Sequence, residues 1–517
     1  MALARFAATI GGYTLLSRIL GFVRDILIAA VLGTGPFADA FFVAFKLPNF
    51  FRRLFAEGAF SAGFVPLFSS ILRRQGRAQA VGFAEEALSL MLVGLLLLVV
   101  AFQIAMPWLI YLLAPGFADR AGMIGLTADI TRLTFPYLLF ISLVSLLGGV
   151  LNSLERFAAA AAAPILLNVS LILALAVFAD LLRSPAHVLG WAVSVAGMAQ
   201  LLWMLAACRR AGIRLNLVPP RLTARLKQLL RLMLPAAIGA GVVQLNLVID
   251  VILASFLQPG SVSYLFYADR LYQLPLGVIG VAIGTALLPT ISRQLAAGAS
   301  EEANLSLNRA IEIAMLLTLP AAGALIVIPG DTIATLFERG AFGAVSSERT
   351  AAALAAYAIG LPAYVLVKAL TPAFFGRMDT RTPVLIAGVC VFANLCLNLV
   401  LMQFLAHVGL ALATAISSWL NVGLLSAVLY RRGHFAPDRR LLERLRNGGI
   451  ATVLMAAALG VSDWALTDLF AGGQLARAVG LAVLVLIGLA IYGLAALAFK
   501  VIDPQELAAA LKRRGGG

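Results

Sequence analysis

The sequence predicts an all-α polytopic membrane protein of about fourteen transmembrane helices, two six-helix lobes followed by a C-terminal helix pair. Composition is the first reason. The chain has 517 residues, 62% hydrophobic and 12% charged, with a mean hydropathy of +0.98. A soluble globular chain is nearer half apolar and a quarter charged. Run length is the second. Many apolar stretches reach the roughly 20 residues that a spanning helix needs, and runs such as LSLMLVGLLLLVVAF lack the alternation of a barrel strand. The third is the placement of Lys and Arg, which alternates from loop to loop.

In chain order the spans fall at 6–32, 37–68, 83–112, 124–150, 160–180 and 188–208 in a first lobe, 1–214. They continue at 230–256, 262–291, 308–330, 351–375, 384–404 and 408–430 in a second lobe, 215–435. Spans 448–470 and 477–500, with a basic tail, occupy 436–517. One side of this arrangement collects Arg73, Arg74 and Arg77, the basic stretch Arg209–Arg231, Arg377, Arg381, and the stretch Arg431–Arg446. The other side holds only Arg120, Arg183, Arg339, Arg349 and Arg477. Cytoplasmic loops carry the basic excess, so both termini are expected in the cytoplasm. The same rule accounts for most of the net charge of +15 without invoking nucleic acid. The N-terminal run is broken by Gly11, Gly12 and Arg18 and shows no small-residue cleavage site, so it reads as a retained first helix. Cys208, Cys390 and Cys396 have neither metal-ligand nor disulfide spacing and read as packing residues. His187, His407 and His434 fall in loops on this map.

The two lobes echo each other. Leu47-Pro48 recurs at Leu274-Pro275, Pro66 near Pro289, and Phe135-Pro136-Tyr137 at Leu361-Pro362-Ala363-Tyr364. Several matches in order, at similar depth, suggest duplication of a six-helix unit, a common transporter plan with a central site. The connector Arg209–Arg231, with Pro219-Pro220, is expected to be partly amphipathic. Loops are short and leave little room for an extramembrane catalytic domain.

The chemistry concentrates in residues 17–66. There Arg18, Arg24, Asp25, Asp39, Lys46, Arg52, Arg53 and Glu57 sit in otherwise apolar helices. An ionisable group at membrane depth costs about 2.5–3.5 kcal/mol on insertion scales and usually faces a watery path or a partner. Asp39 with Lys46, or Glu57 with Arg53, would be the structural pairings. Five cations against three anions leave an excess of positive charge. Arginine holds phosphate bidentately and stays charged, so an anionic ligand is expected. Arg270, beside Asp269 near the start of the eighth span, could close on the same anion; Asp269–Arg270 pairing is the bland alternative. Pro48 should bend the second helix. A separate polar set, Asp250, Asn394, Asn398 and Thr414, offers the oxygens that a hard cation takes, with interhelical hydrogen bonding as its structural alternative. No nucleotide loop, nucleophile elbow or paired-carboxylate motif is present.

These motifs resemble a known family. S-R-x-L-G-x-x-R-D at Ser17–Asp25 is similar to the first-helix motif of the MviN/MurJ family. D-A-F…P-N-x-x-R-R-L-x-A-E-G-A-F…F-V-P at Asp39–Pro66 resembles its second-helix motif, and R-x-D-T-R-T-P at Arg377–Pro383 its loop between helices ten and eleven. With the fourteen-span plan and duplicated halves, the resemblance covers almost the whole chain.

The resemblance implies membership of the multidrug/oligosaccharidyl-lipid/polysaccharide exporter superfamily. It implies flipping of lipid II, the undecaprenyl-pyrophosphate-linked peptidoglycan precursor, across the bacterial inner membrane by alternating access. It assigns Arg18, Arg24, Arg52 and Arg270 to the essential cavity arginines, and Ser17, Asp39 and Asn49 to further sensitive positions; Arg53 joins the candidate ligands as part of the cationic excess. It also implies sodium as a candidate coupling ion at Asp250, Asn394, Asn398 and Thr414. No organic cofactor, nucleic acid or enzymatic activity is expected, the chain is expected to be a monomer, and the cell-wall synthesis machinery is the candidate protein partner. The competing functions are a flippase for another polyprenyl-linked glycan, an ion-coupled multidrug exporter, a membrane enzyme acting on polyprenyl phosphates, or a division-machinery scaffold. A drug exporter for cations would want an acidic cavity, and the enzyme would want acidic metal-binding loops.

Overall fold

A computed structural model of the chain describes residues 2–53, 60–179 and 181–502. Glu57 and the basic tail beyond residue 502 lie outside them. The described residues are helical throughout except for turns, short connectors and one isolated bridge, Arg339 to Phe342. Contacts divide the chain into Met1–Ser263 with Arg339–Phe342, and Tyr264–Glu338 with Gly343–Gly517.

The first unit contains α1 (Ala2–Leu32), α2 (Pro36–Phe51), α3 (Phe60–Gln75), α4 (Arg77–Leu113), α5 (Met123–Thr134), α6 (Tyr137–Ser153), α7 (Ala158–Phe178), α8 (Pro185–Arg210) and α9 (Ala224–Ser255). Its core is aromatic. Phe64 stacks between Phe68 and Phe83, each 5.5 Å away by ring centroid. Leu147, Met204 and Leu229 close around them. α9 packs on α3 and α4, and a Cβ on Gly63 would lie 3.1 Å from Leu229.

Residues 213–223 have no regular secondary structure and lie along α4. Asn216 donates to Glu85, the Val218 amide to Ser89 Oγ at 2.9 Å, and Thr223 to Glu86 at 2.8 Å. Pro219 and Pro220 have no N–H for a helical ladder, and α4 supplies acceptors to the amides of Asn216 and Val218. Thr223 then caps α9 through the Leu226 amide.

The second unit holds α10 (Ser261–Pro275, all but its first turn), α11 (Val281–Ala296), α12 (Ser300–Val327), α13 (Pro329–Phe337), α14 (Ala344–Phe375), α15 (Arg381–Arg431), α16 (Arg439–Ala465), the short α17 (Thr467–Phe470) and α18 (Gln474–Ala498). α14 is its axis and packs on α12 and α15 through small buried residues such as Ala358, Gly360 and Ala363. A Cβ on Gly360 would sit 2.9 Å from Ala415 Cα, so the two helices meet backbone to backbone, as small residues allow in membranes. α16 packs on α12 and α18.

By length and composition ten of the described helices can cross a membrane, against the fourteen expected. Part of the difference has a physical cause. α1 crowds Arg18, Arg24 and Asp25 into its apolar stretch, and α15 fuses the spans expected at 384–404 and 408–430 across a kink at Ala406, where φ is 47°.

The proline echo is visible in the backbone. After Pro48 the helix widens to a π turn at Arg52 and Arg53, and after Pro275 it widens again over Leu276–Gly280. A proline removes one i→i−4 bond of its helix, and in both helices a wider turn follows it.

One segment leaves its sequence neighbours. Arg339–Phe342 packs with the first unit, where the Ala341 amide donates to Ala30 O at 2.7 Å. The fit needs two left-handed glycines, Gly340 (φ 57°) and Gly33 (φ 62°), and each faces the other's chain at 2.3 Å from an added Cβ.

Candidate functional site

The functional side chains of the first unit are set by α1, α2 and α7. Ser17, Gly21 and Arg24 recur at helical spacing and share one face of α1. Asn168 of α7 lies against that face. The Arg24 guanidinium donates from Nη1 to Asn168 Oδ1 at 2.9 Å. It also folds back on its neighbour, donating from Nε at 2.9 Å and Nη2 at 2.7 Å to Asp25 Oδ1. Asn168 Nδ2 donates to Ser17 O at 2.8 Å and reaches Ser17 Oγ at 3.4 Å. Arg24 is 8% exposed, Asp25 3% and Asn168 5%. Arg18, on a neighbouring face, is exposed.

On α2, Asn49 and Arg52 form a second arrangement. Asn49 Nδ2 donates to Phe45 O at 2.9 Å, which turns its oxygen to accept from Arg52 Nε at 3.1 Å. Arg52 is half-buried and Arg53 exposed, both in the π turn below Pro48. Phe51 packs edge-on to Phe102 and Phe135 at 5.4 and 6.1 Å and anchors this turn.

Asp39 lies one turn into α2 and is 1% exposed. Its carboxylate accepts from the Gly260 amide at 2.7 Å, the Ser263 amide at 2.9 Å and Ser263 Oγ at 2.6 Å. These are orphan donors of the first turn of α10, so Asp39 acts as its cap from another helix. The same turn region is held by Arg120, which donates to Leu257 O and, at 3.3 Å, to Ser255 O. Gly116 donates to Ser255 Oγ at 3.0 Å. Of the in-span cations outside α1 and α2, Arg132 pairs with Asp129 at 3.3 Å.

In the second unit Arg270 lies with its guanidinium carbon 4.4 Å from the Phe266 ring centroid. Asp269 accepts a hydrogen bond from Gln273, and Tyr272 lies between Tyr357 and Tyr364, tilted against both, at 4.9 and 5.1 Å. His407 is at the α15 kink, not in a loop; its Nε2 lies 2.8 Å from Arg349 O.

Sequence reasoning missed two features. Asn168 is a lone amide in the run PILLNVSLILAL, which is the signal that could have found it. The partners of Asp39 at Gly260 and Ser263 had no local signal.

A family model described as lipid II flippase MurJ matches residues 28–496. The chain belongs to the MurJ lipid II flippase family. A probable lipid II flippase MurJ of Rhizobium meliloti strain 1021 is 46% identical over 499 residues, 95% of this chain and 93% of the relative. The lipid II flippase MurJ of Burkholderia cenocepacia is 38% identical over 85% of this chain and 86% of its own length. Two solved structures share the fold. One is lipid II flippase MurJ in an inward closed conformation, with TM-score 0.77 and 24% identity over 95% of this chain and 98% of that one. The other is an inward-facing multidrug resistance MATE family transporter of the MOP superfamily, with TM-score 0.68 and 15% identity over 82% and 98%. Membership in the MurJ family and the apolar helices make this a multi-pass protein of the bacterial inner membrane.

The sodium candidates of this MurJ-family chain divide between the units. Asp250 is on α9 in the first, and Asn394, Asn398 and Thr414 are on α15 in the second. Asn394 is 1% and Asn398 0% exposed. Thr414 Oγ1 donates to Leu410 O at 3.0 Å, which leaves its lone pairs to accept. Thr414 is half-buried and lies beyond the Ala406 kink from the two asparagines.

Proposed function

We infer that the protein flips lipid II, the lipid-linked peptidoglycan precursor, from the cytoplasmic to the periplasmic leaflet of the inner membrane. Identity of 46% over 95% of the chain to a probable MurJ flippase carries this reading. The MATE likeness is one of fold, and an excess of arginine over carboxylate in α1 and α2 disfavours a cationic drug as cargo.

The finer mechanism is our proposal. The pyrophosphate engages Arg18, Arg24, Arg52 and Arg270, with Arg53 adding positive charge. Arginine suits this task because its planar fork stays charged and grips phosphate oxygens in pairs. Ser17 and Asn49 act by setting Arg24 and Arg52, and Asp39 by holding the turn at Gly260–Ser263. Access alternates between the two leaflets, and the widened turns after Pro48 and Pro275 are where the helices bend. Both termini are cytoplasmic, the protein works as a monomer alongside the cell-wall synthesis machinery, and no chemical conversion of the lipid takes place. Asp250, Asn394, Asn398 and Thr414 would hold sodium, whose gradient would supply driving energy. Replacing external sodium by potassium, and substituting Asn398→Ala, should then slow flipping alike.

The deciding experiment measures headgroup accessibility at the outer leaflet in depleted cells complemented with Arg18→Ala or Arg270→Ala. Both should fail to expose the headgroup. Undiminished flipping by both would overturn the arginine mechanism.

A further inference from the structure

Arg24 has five N–H donors and no acceptor. Three are engaged, two on Asp25 and one on Asn168. Asp25 is the adjacent residue of the same helix and compensates the charge. Asn168 is the contact that comes from outside α1. It is a side chain on α7, 144 residues away in sequence.

The chemistry of its partners permits one orientation of that amide. Arginine only donates, so the amide oxygen must face it. The Ser17 carbonyl only accepts, so the NH2 must face that. Both demands are met, at 2.9 and 2.8 Å. The amide lies against Gly21, where an added Cβ would stand 3.6 Å from Nδ2. A single buried side chain is therefore fitted to Ser17, Gly21 and Arg24 over two turns of α1. Leucine could fill the space without either bond, and aspartate could not donate to Ser17.

We propose that Asn168 is a positioning residue for the flippase: its amide holds the Arg24 guanidinium in the orientation that meets the pyrophosphate, and ties that orientation to the backbone at Ser17. The proposal rests on the reading of Arg24 as a pyrophosphate ligand. With three donors engaged, Arg24 keeps two N–H groups, enough for two phosphate oxygens, and its plane is fixed before the anion arrives. Fixing the donor beforehand removes an ordering cost from binding. A guanidinium released from Asn168 would still be charged but would lose its link to α7.

The test is a double-mutant cycle on the purified full-length protein in detergent, titrated with lipid II and separately with undecaprenyl pyrophosphate, which lacks the sugar–peptide head. Melting temperature is recorded for every variant. Asn168→Ala should weaken binding of both ligands about ten- to a hundredfold, the worth of one hydrogen bond to a charged group. Arg24→Ala should weaken it at least as much, and the double variant should be no worse than Arg24→Ala alone. A role in packing would instead lower the melting temperature and add to the loss from Arg24→Ala. Asn168→Asp keeps an acceptor on Arg24 and supplies a reading should the alanine variant not fold. Its extra carboxylate should weaken both ligands by at least tenfold. Unchanged affinity in Asn168→Ala or Asn168→Asp, or additive losses in the cycle, overturns the assignment. If Arg24→Ala binds normally, the arginine reading beneath it fails as well; if Arg24→Ala is weak and Asn168→Ala is not, only the role of Asn168 fails.

Discussion

Gly340→Ala should undock the segment Arg339–Phe342. The residue has φ of 57°, a conformation that costs a non-glycine residue roughly 1–2 kcal/mol. Its new Cβ would lie 2.3 Å from Ala30 O, a backbone atom inside α1 that cannot yield. The segment must retract, and the bond from the Ala341 amide to Ala30 O, now 2.7 Å, is lost. That bond is worth about 0.5–1.5 kcal/mol. Together the docked state loses on the order of 2–3 kcal/mol. At 1.4 kcal/mol per decade, the Ala341 amide should exchange with deuterium roughly 30- to 150-fold faster. Hydrogen-exchange mass spectrometry on peptides covering 338–343, with peptides of α14 as internal control, reads this directly. Exchange at Ala341 equal to that of the parent protein would refute the reasoning.

Other outcomes follow from single contacts. Glu312 is 7% exposed and accepts from Arg309 at 2.5 Å, from Arg440 at 3.4 Å and from Arg444. Glu312→Gln should therefore cost about 3 kcal/mol, the lower end for breaking a buried ion pair, because Arg309 keeps Asp438; a thermal melt in detergent measures it. Ala406→Gly should raise the melting temperature by relieving about 1 kcal/mol of backbone strain at φ 47°; a fall would show that the kink is not strained. Acid should destabilise the region around residues 377–434 in two stages. Burial, with the charges of Arg377 and Arg432, holds His434 below the ordinary imidazole range, so its contribution is full above that range and fades as pH falls through it. Hydrogen bonds from Thr382 and Arg432 hold the Asp379 carboxyl below the ordinary carboxylate range, so its contribution survives to lower pH and is lost last. Melting curves from neutral to acid pH should flatten in the first stage for His434→Gln and in the second for Asp379→Asn.

The helical membrane fold was legible because hydropathy and run length depend on local composition. The pair Pro48 and Pro275 was also visible in the sequence, and a π turn follows each. Partner choice was not. Lys46 was the local structural alternative for Asp39, yet its carboxylate serves the amides of Gly260 and Ser263, more than two hundred residues on. Arg24 and Asp25 are adjacent, and adjacent residues of a helix point apart; the length of the arginine side chain lets it curl back across that angle. Asn168 showed only as a polar residue in an apolar run.

The short segment Arg339–Phe342 ties heredity to geometry. Its residues are translated late, yet they complete the packing of a helix made first, so α1 stays unfinished until more than three hundred residues have been synthesised. A split gene encoding 1–263 and the remainder separately would deliver a first fragment missing four residues of its own packing, and fragment complementation would depend on the second fragment returning them. Substitutions at Ala30 and Gly33 should likewise be tolerated only in company with changes at Gly340 and Ala341, so that a helix and a distant loop drift through evolution as one piece.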